Sequence, residues 1–417
     1  MTDRQLRDLC ALVIEADQPD IPDSGVLHNP AMRRLMARLS YQQGFFRYDE
    51  YGDVMRTLAL LVEHDPAVHG LPTAQDWEAE LGVPLPDYLA IVFALYVGAN
   101  MRRGRFTTAD LAHHAEVGAF GGHDAATVEK LIATHLATDL PALHEKARTE
   151  DADESGPGRQ MWLTNPLLAT PMISDSDGWR APISPYLLHK ITPLGLYFTG
   201  LTHFGDDFPR ALGDSFELVV GRHLALLTAC GAVVHPEIAY GRKGSKKTVD
   251  YLIVFPELVL LVESKSMRST AEARLGDEDG LALLTTRVQK ARNQIDTTAD
   301  LIADRIPELE AIPADRPIRG LVVTLEPIPL VDTYLFTDLI GPNTVQSATV
   351  CAHDFEAILP TLAKTPDAGQ RLLDALTFRD PTPPALARAV DEIEGREENP
   401  LTTDLWDRWK EILPRPS

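Results

Sequence analysis

The chain has 417 residues, more than one ordinary core accommodates, and its 44% hydrophobic and 24% charged content excludes a disordered polymer. The formal net charge of −22 excludes broad, sequence-blind coating of nucleic acid, because phosphate repels such a surface. It leaves room for a local basic strip and for carboxylates gathered around a cation.

Residues 1–150 carry helical periodicity and are expected to form an all-α N-terminal domain. The candidate helices are Arg4 to Ala16, Asn29 to Leu39 with an Asn-Pro start, Tyr51 to Val62, Tyr88 to Val97 and Ala125 to Lys146. The acidic run Glu150 to Gly158 reads as a linker, and the proline-dotted stretch Trp162 to Gly200 as extended chain, so 151–212 is expected to be a linker and extended segment. From Gly213 the pattern changes. Asp214 to Ala229 predicts a helix capped by Asp214 and ended near Gly231. Strand runs follow at Ala232 to Tyr240, Val249 to Phe255 and Leu258 to Ser264, then a polar helix at Leu281 to Arg305 and a strand at Ile318 to Leu325. The expected order is α-β-β-β-α-β within 213–352. A helical C-terminal extension, 353–417, carries Trp406 and Trp409 as docking residues.

Cys10, Cys230 and Cys351 lie too far apart for a CxxC pair or a disulfide framework, which fits a reducing compartment. The N-terminus mixes charges of both signs, unlike a signal peptide. The longest apolar stretch, Tyr251 to Val262, contains Pro256 and Glu257 and falls short of the about 20 residues a spanning helix needs. The expectation is a soluble cytoplasmic protein with no membrane partner.

The chemistry concentrates at one hairpin. A turn symmetric about Pro256-Glu257 pairs Phe255 with Leu258, and counting outward sets Asp250 opposite Glu263. Lys265, two residues on, points to the face of Glu263. Two close carboxylates repel and raise each other's pKa, and a divalent cation between them removes that penalty. Mg²⁺ takes one or two carboxylates and leaves positions for water and phosphate. Lys265 is then placed to orient or help deprotonate an attacking water. The chain has only ten lysines, and Lys265 alone has an acid two residues before it, on an otherwise apolar strand. The competing reading is a buried ion pair with a spare acid.

Val249-Asp250 followed by Glu263-Ser264-Lys265 resembles the signature of the PD-(D/E)XK, or restriction-endonuclease-like, nuclease superfamily, with Val249 where the name-giving proline stands. The resemblance covers Gly213 to Leu325. It implies an α/β fold with a mixed sheet flanked by helices, and a metal-dependent phosphodiesterase using Mg²⁺ or Mn²⁺. It makes Asp250, Glu263 and Lys265 the catalytic residues and Asp250 and Glu263 metal ligands. Glu217, on a helix that resembles the first core helix of the family, matches a further acidic ligand; an exposed helix carboxylate is the alternative. The run Gln289 to Gln294 resembles the helix after the core strands. Lys290 and Gln294, four residues apart on one helix face, and the basic loop of Arg242, Lys243, Lys246 and Lys247 are candidates for nucleic-acid contact; solvated surface is the other reading. Glu237 and His235 read as structural or surface residues.

The expected activity is metal-dependent hydrolysis of nucleic acid, DNA first, as an endonuclease or exonuclease. Analogy extends this to restriction or phage defence, with a homodimer or a partner protein possible. The alternative is a catalytically inactive nuclease-fold protein that binds nucleic acid or another protein.

Overall fold

The computed structural model describes residues 30–45, 50–152, 165–274, 276–336, 339–379 and 382–411. The helix expected at Arg4 to Ala16 and residues 153–158 of the linker lie outside these. In the N-terminal part, helices form at Pro30–Phe45, Glu50–Thr57, Ala74–Leu81, Leu85–Met101, Thr108–Glu116, Ala125–Leu131 and Leu140–Ala152. Thr73 with Asp76, and Thr107 with Asp110, start two of them by exchanging side-chain and backbone hydrogen bonds.

This region is not all-α. Arg105–Phe106 and Ala137–Asp139 join Met172–Asp175 and Gly178–Arg180 in a four-stranded sheet. Strands of two or three residues are too short to display a period of two, so no alternation marks them in the sequence. Nor is 165–212 an extended linker. After the hairpin 172–180 come helix Pro185–His189 and helix α1 (Pro193–Phe204). Thr192 caps α1, accepting from the amide of Gly195, and Pro193 occupies its first turn, where the missing N–H costs nothing.

Helix α2 (Asp207–Ala225) follows, and Gly231 ends the turn after it in a left-handed conformation. Its start is seven residues earlier than expected: Asp214 lies inside the helix, because Pro209 fits the first turn and nothing before Gly213 breaks the pattern. The main sheet contains β1 (Val233–Pro236), β2 (Tyr251–Val254) and β3 (Val259–Lys265). After β3 come a short helix α3 (Ala271–Arg274), the long helix α4 (Glu278–Ala303), β4 (Ile318–Thr324), β5 (Ser347–Cys351) and α5 (Ala352–Ala363). The spatial order is β5-β4-β3-β2-β1, with β3, β4 and β5 parallel and β2 and β1 antiparallel.

Helix α4 carries the chain from β3 back to the start of β4. One sheet face, with Leu252, Val259, Leu261 and Val322, packs on Ala291, Ile295 and Ala299 of α4. A side chain at Gly320 of β4 would collide with Ile295, so glycine there lets helix and sheet close up. The other face, with Tyr251, Ile253, Leu260, Val262, Leu321 and Val323, belongs to an apolar cluster that also holds Phe216 and Val220 of α2 and Phe355 of α5. Each such aliphatic chain contributes about 1.5–3 kcal/mol of burial. The same cluster includes Phe93 and Trp409, whose rings meet edge-on at 5.2 Å, so the C-terminal helix Pro400–Trp409 docks through Trp409, with Trp406, the other tryptophan the sequence singles out, packed part-buried against the same cluster. Among the described residues no single helix is long and apolar enough to cross a membrane; Ala74–Leu81 and Leu85–Met101 meet such a test only as a pair bent by 45°.

Candidate active site

The hairpin register is the expected one. Phe255 donates its amide to the carbonyl of Leu258 at 2.9 Å, and Tyr251 faces Val262, so Asp250 stands one step beyond the ladder opposite Glu263. Glu263 and Lys265 share a face, and the Lys265 ammonium donates to Glu263 Oε1. Glu263 is 0% exposed and Lys265 is 32% exposed through its side chain, so the pair runs from the core to the surface.

Asp250 departs from a regular strand. Pro236 faces Tyr251 while Ala239 faces Lys247, so two residues on one strand oppose three, 248–250, on the other. The extra residue is a bulge, a device that bends a strand and re-aims a side chain, frequently beside active sites. It is pinned from both sides. Thr248 Oγ1 accepts from the Ile238 amide at 2.9 Å, and the Val249 amide donates to Thr298 Oγ1 of α4 at 3.0 Å instead of to a strand. The Asp250 carboxylate turns toward β3, where Oδ2 accepts from both the amide and the hydroxyl of Ser264 at 2.7 Å.

Burial raises the Asp250 pKa, opposed by the two Ser264 hydrogen bonds and by Lys265. Glu263 is pushed up to about 7, first by burial and then by the Asp250 charge, with Lys265 and a hydrogen bond from the Asp250 backbone pulling the other way. Its second oxygen, Oε2, is buried with no hydrogen-bond partner. An unpartnered buried carboxylate oxygen is costly, and an ion or a proton relieves it.

Glu217 approaches from α2. The Tyr251 hydroxyl donates to the Glu217 carbonyl at 3.1 Å, and Gly221, one turn on, leaves the space the tyrosine ring fills. The Glu217 carboxyl is raised to about 7 by burial, then by Asp250, Glu237 and Asp214. Asp250 therefore acts on both Glu217 and Glu263. Glu237, just past β1 and across from the bulge, adds its charge to Asp250 and Glu217 and pairs with Lys247. Among the described residues, no three His, Cys, Asp or Glu side chains form a ready ligand group for an ion. The donor set fits a cation that needs only two carboxylates, Asp250 and Glu263, with water completing its shell.

Of the basic candidates, Arg242, Lys243, Lys246 and Lys247 are exposed on the loop and short hairpin before the bulge. Lys247 is raised chiefly by its hydrogen bond to Glu237, with Glu217 and Asp250 adding to it, which ties this loop to the acids. Lys290 and Gln294 are exposed on α4 and make no ion pair or side-chain hydrogen bond among the described residues. Sequence reasoning missed Ser264 as the grip on Asp250, Thr298 as the anchor of the bulge and Glu237 as a member of the acidic group. Only Ser264 carried a signal: it is the middle residue of Glu263-Ser264-Lys265, next to the rung of Asp250. No family model matches this chain, and neither a curated protein nor a solved structure does.

Proposed function

We propose that this chain hydrolyses phosphodiester bonds in nucleic acid, DNA first, at a site where Asp250 and Glu263 hold Mg²⁺ or Mn²⁺. The observation that carries the reading is the pairing of a fully buried carboxylate, Glu263, with a half-buried one, Asp250, and the Glu263 oxygen Oε2 that makes no side-chain hydrogen bond. A lone ion pair with Lys265 needs neither the second acid nor the bulge that aims it. When bound, a divalent ion supplies positive charge for the scissile phosphate and lowers the pKa of a coordinated water.

The chain's own residues do the rest. Ser264 holds Asp250 in one orientation. Lys265, anchored on Glu263 and partly exposed, reaches out to donate to a phosphate oxygen or to the attacking water. Glu217 stands beside Asp250 as a further acidic ligand or a proton acceptor near neutral pH. The loop of Arg242, Lys243, Lys246 and Lys247 grips the phosphate backbone next to an otherwise acidic surface. The order α2-β1-β2-β3-α4-β4, with an acid before β2 and Glu-x-Lys ending β3, is why we read the domain as restriction-endonuclease-like, and a role in restriction or phage defence follows by analogy alone.

A second reading, an inactive nuclease-fold binding module, draws on the closed Lys265–Glu263 pair and on Ser264's double hold on Asp250. The test is incubation of the purified chain with plasmid, single-stranded DNA and RNA in Mg²⁺, Mn²⁺ or EDTA. Cleavage that needs metal and falls at least about 100-fold in Lys265→Ala is expected, the scale of losing one positioned proton-transfer group. Cleavage that survives both EDTA and Lys265→Ala overturns the mechanism. No cleavage, with nucleic-acid binding intact in Asp250→Ala, supports the second reading.

A further inference from the structure

In a chain with 61 acidic and 39 basic residues, most arginines are expected to find a carboxylate. Arg268, Arg274 and Arg287 do not: among the described residues none of them makes an ion pair. Yet Arg287 and Arg274 both lie close enough to Arg268 to add to burial in lowering its pKa, against a hydrogen bond and the charge of Tyr197. One acid in reach, Glu326, feels Arg274 and Arg268 but makes no ion pair with either, and burial and then Asp53 push it up to about 7.

Arg268 is also held in place. Its guanidinium carbon lies 3.1 Å from the Tyr197 ring centroid and 5.4 Å from that of Phe198, both on α1. Tyr197 is 7% exposed and Phe198 53%. The two rings meet edge to face at 5.6 Å, so the tyrosine braces a phenylalanine left half open to solvent. A single exposed phenylalanine is ordinary on a protein surface. Three neighbouring guanidinium groups that make no ion pair, one of them stacked beside that ring, are not explained by packing. Unpaired guanidinium groups next to an open aromatic face match a strand whose bases are exposed: arginine forks suit phosphate, and bases stack on aromatic rings without regard to sequence.

Position agrees with the chemistry. Arg268 follows Lys265 by three residues, at most about 11 Å of chain. The group lies beyond the carboxyl end of β3, the edge where open α/β sheets receive ligands. At about 3.4 Å of rise per nucleotide, only a few nucleotides separate it from the candidate active site.

We propose that Phe198, Arg268, Arg274 and Arg287 form a subsite for an unpaired stretch of nucleic acid, with a base on the Phe198 ring and flanking phosphates on the arginines. This rests on the nucleic-acid reading of the neighbouring site, but its test does not need cleavage. The full chain is titrated in EDTA against one fluorescent oligonucleotide sequence as single-stranded DNA, single-stranded RNA and duplex DNA, and anisotropy is followed. At least one single strand binds more tightly than the duplex. Phe198→Ala weakens that binding about 5- to 150-fold, the loss of one stacked base, and leaves duplex affinity unchanged. Phe198→Trp restores it. Arg287→Ala reduces the salt slope for the single strand by about 0.7, one phosphate contact. The proposal is overturned if no oligonucleotide binds, if duplex binds as well as both single strands, or if Phe198→Ala changes nothing. Tight single-strand binding by a chain that cuts nothing sinks hydrolysis and leaves the subsite standing; metal-dependent cutting with Phe198→Ala indistinguishable from wild type does the reverse.

Discussion

The Arg56 cluster and the Glu263 cluster both bury charge, and they differ in how completely that charge is answered. Arg56 donates to Glu356 Oε1 at 3.0 Å and Oε2 at 2.8 Å, and to Asp53 at 2.5 Å. Burial works against its charge, yet Glu356 and Asp53 outweigh burial and hold its pKa above the ordinary arginine range. Both oxygens of Glu356 are occupied. The cluster ties helix Glu50–Thr57 to α5, two elements about 300 residues apart in sequence. Glu263 has one oxygen on Lys265 and one without a side-chain partner, with a second, half-buried acid alongside. A fork that occupies both carboxylate oxygens is a fastening. A carboxylate pair that repels, aimed by a bulge, is what we propose holds a place for a cation.

The largest effect separating the two belongs to the fastening. Arg56→Met removes the cation on which both Glu356 oxygens rest and is expected to cost about 3–5 kcal/mol of unfolding free energy, read by urea denaturation. Its thermal shift with Mn²⁺ should persist. An Arg56→Met chain as stable as wild type would erase the contrast.

The next effect has the opposite sign. The Glu263 carboxyl sits above its unfolded pKa, at about 7, so its contribution to stability is fully present below about pH 4.5 and is lost as pH rises through 7. The metal-free chain should therefore soften between about pH 5 and pH 8. Glu263→Gln, which stays neutral, should flatten that profile and make the metal-free chain about 1–3 kcal/mol more stable at pH 8. Parallel profiles for the two proteins, or a wild type that gains stability toward pH 8, would remove the idea that this acid is held against its preference.

These expectations rest on a rung that was readable in the sequence, and the reason is local. Phe255 and Leu258 flank a two-residue turn, both strands are apolar, and a slip of one residue would move Asp250 and Glu263 to opposite faces. The hairpin could be counted without knowing anything distant. The bulge could not. It depends on Thr298, dozens of residues away on α4, and on the offset between Pro236–Tyr251 and Ala239–Lys247, which no periodicity records. Glu237 joins the acids only because β1 pairs with β2. Strand β5, Ser347–Cys351, alternates over only five residues with small Ala348 and Val350 inward, too short a signal to stand out, and is recruited by its parallel neighbour β4. Thr192-Pro193, a helix start, was hidden among prolines that made its surroundings look extended.

The smallest effect tests the basic loop. Lys246→Ala, at an exposed residue, should leave the fold untouched and lower the salt slope of duplex binding by about 0.9, one phosphate contact. An unchanged slope would return Lys246 to solvent.

Calorimetric titration of the metal-free chain with Mn²⁺ bears on the cation site without any substrate. Wild type should bind with one set of heats and gain about 2.7 kcal/mol of stability at 100 times the dissociation constant. Binding should vanish in Glu263→Gln and in Asp250→Asn and survive in Arg56→Met. Heats that are absent from wild type, or that persist unchanged when either acid is neutralised, would contradict the account.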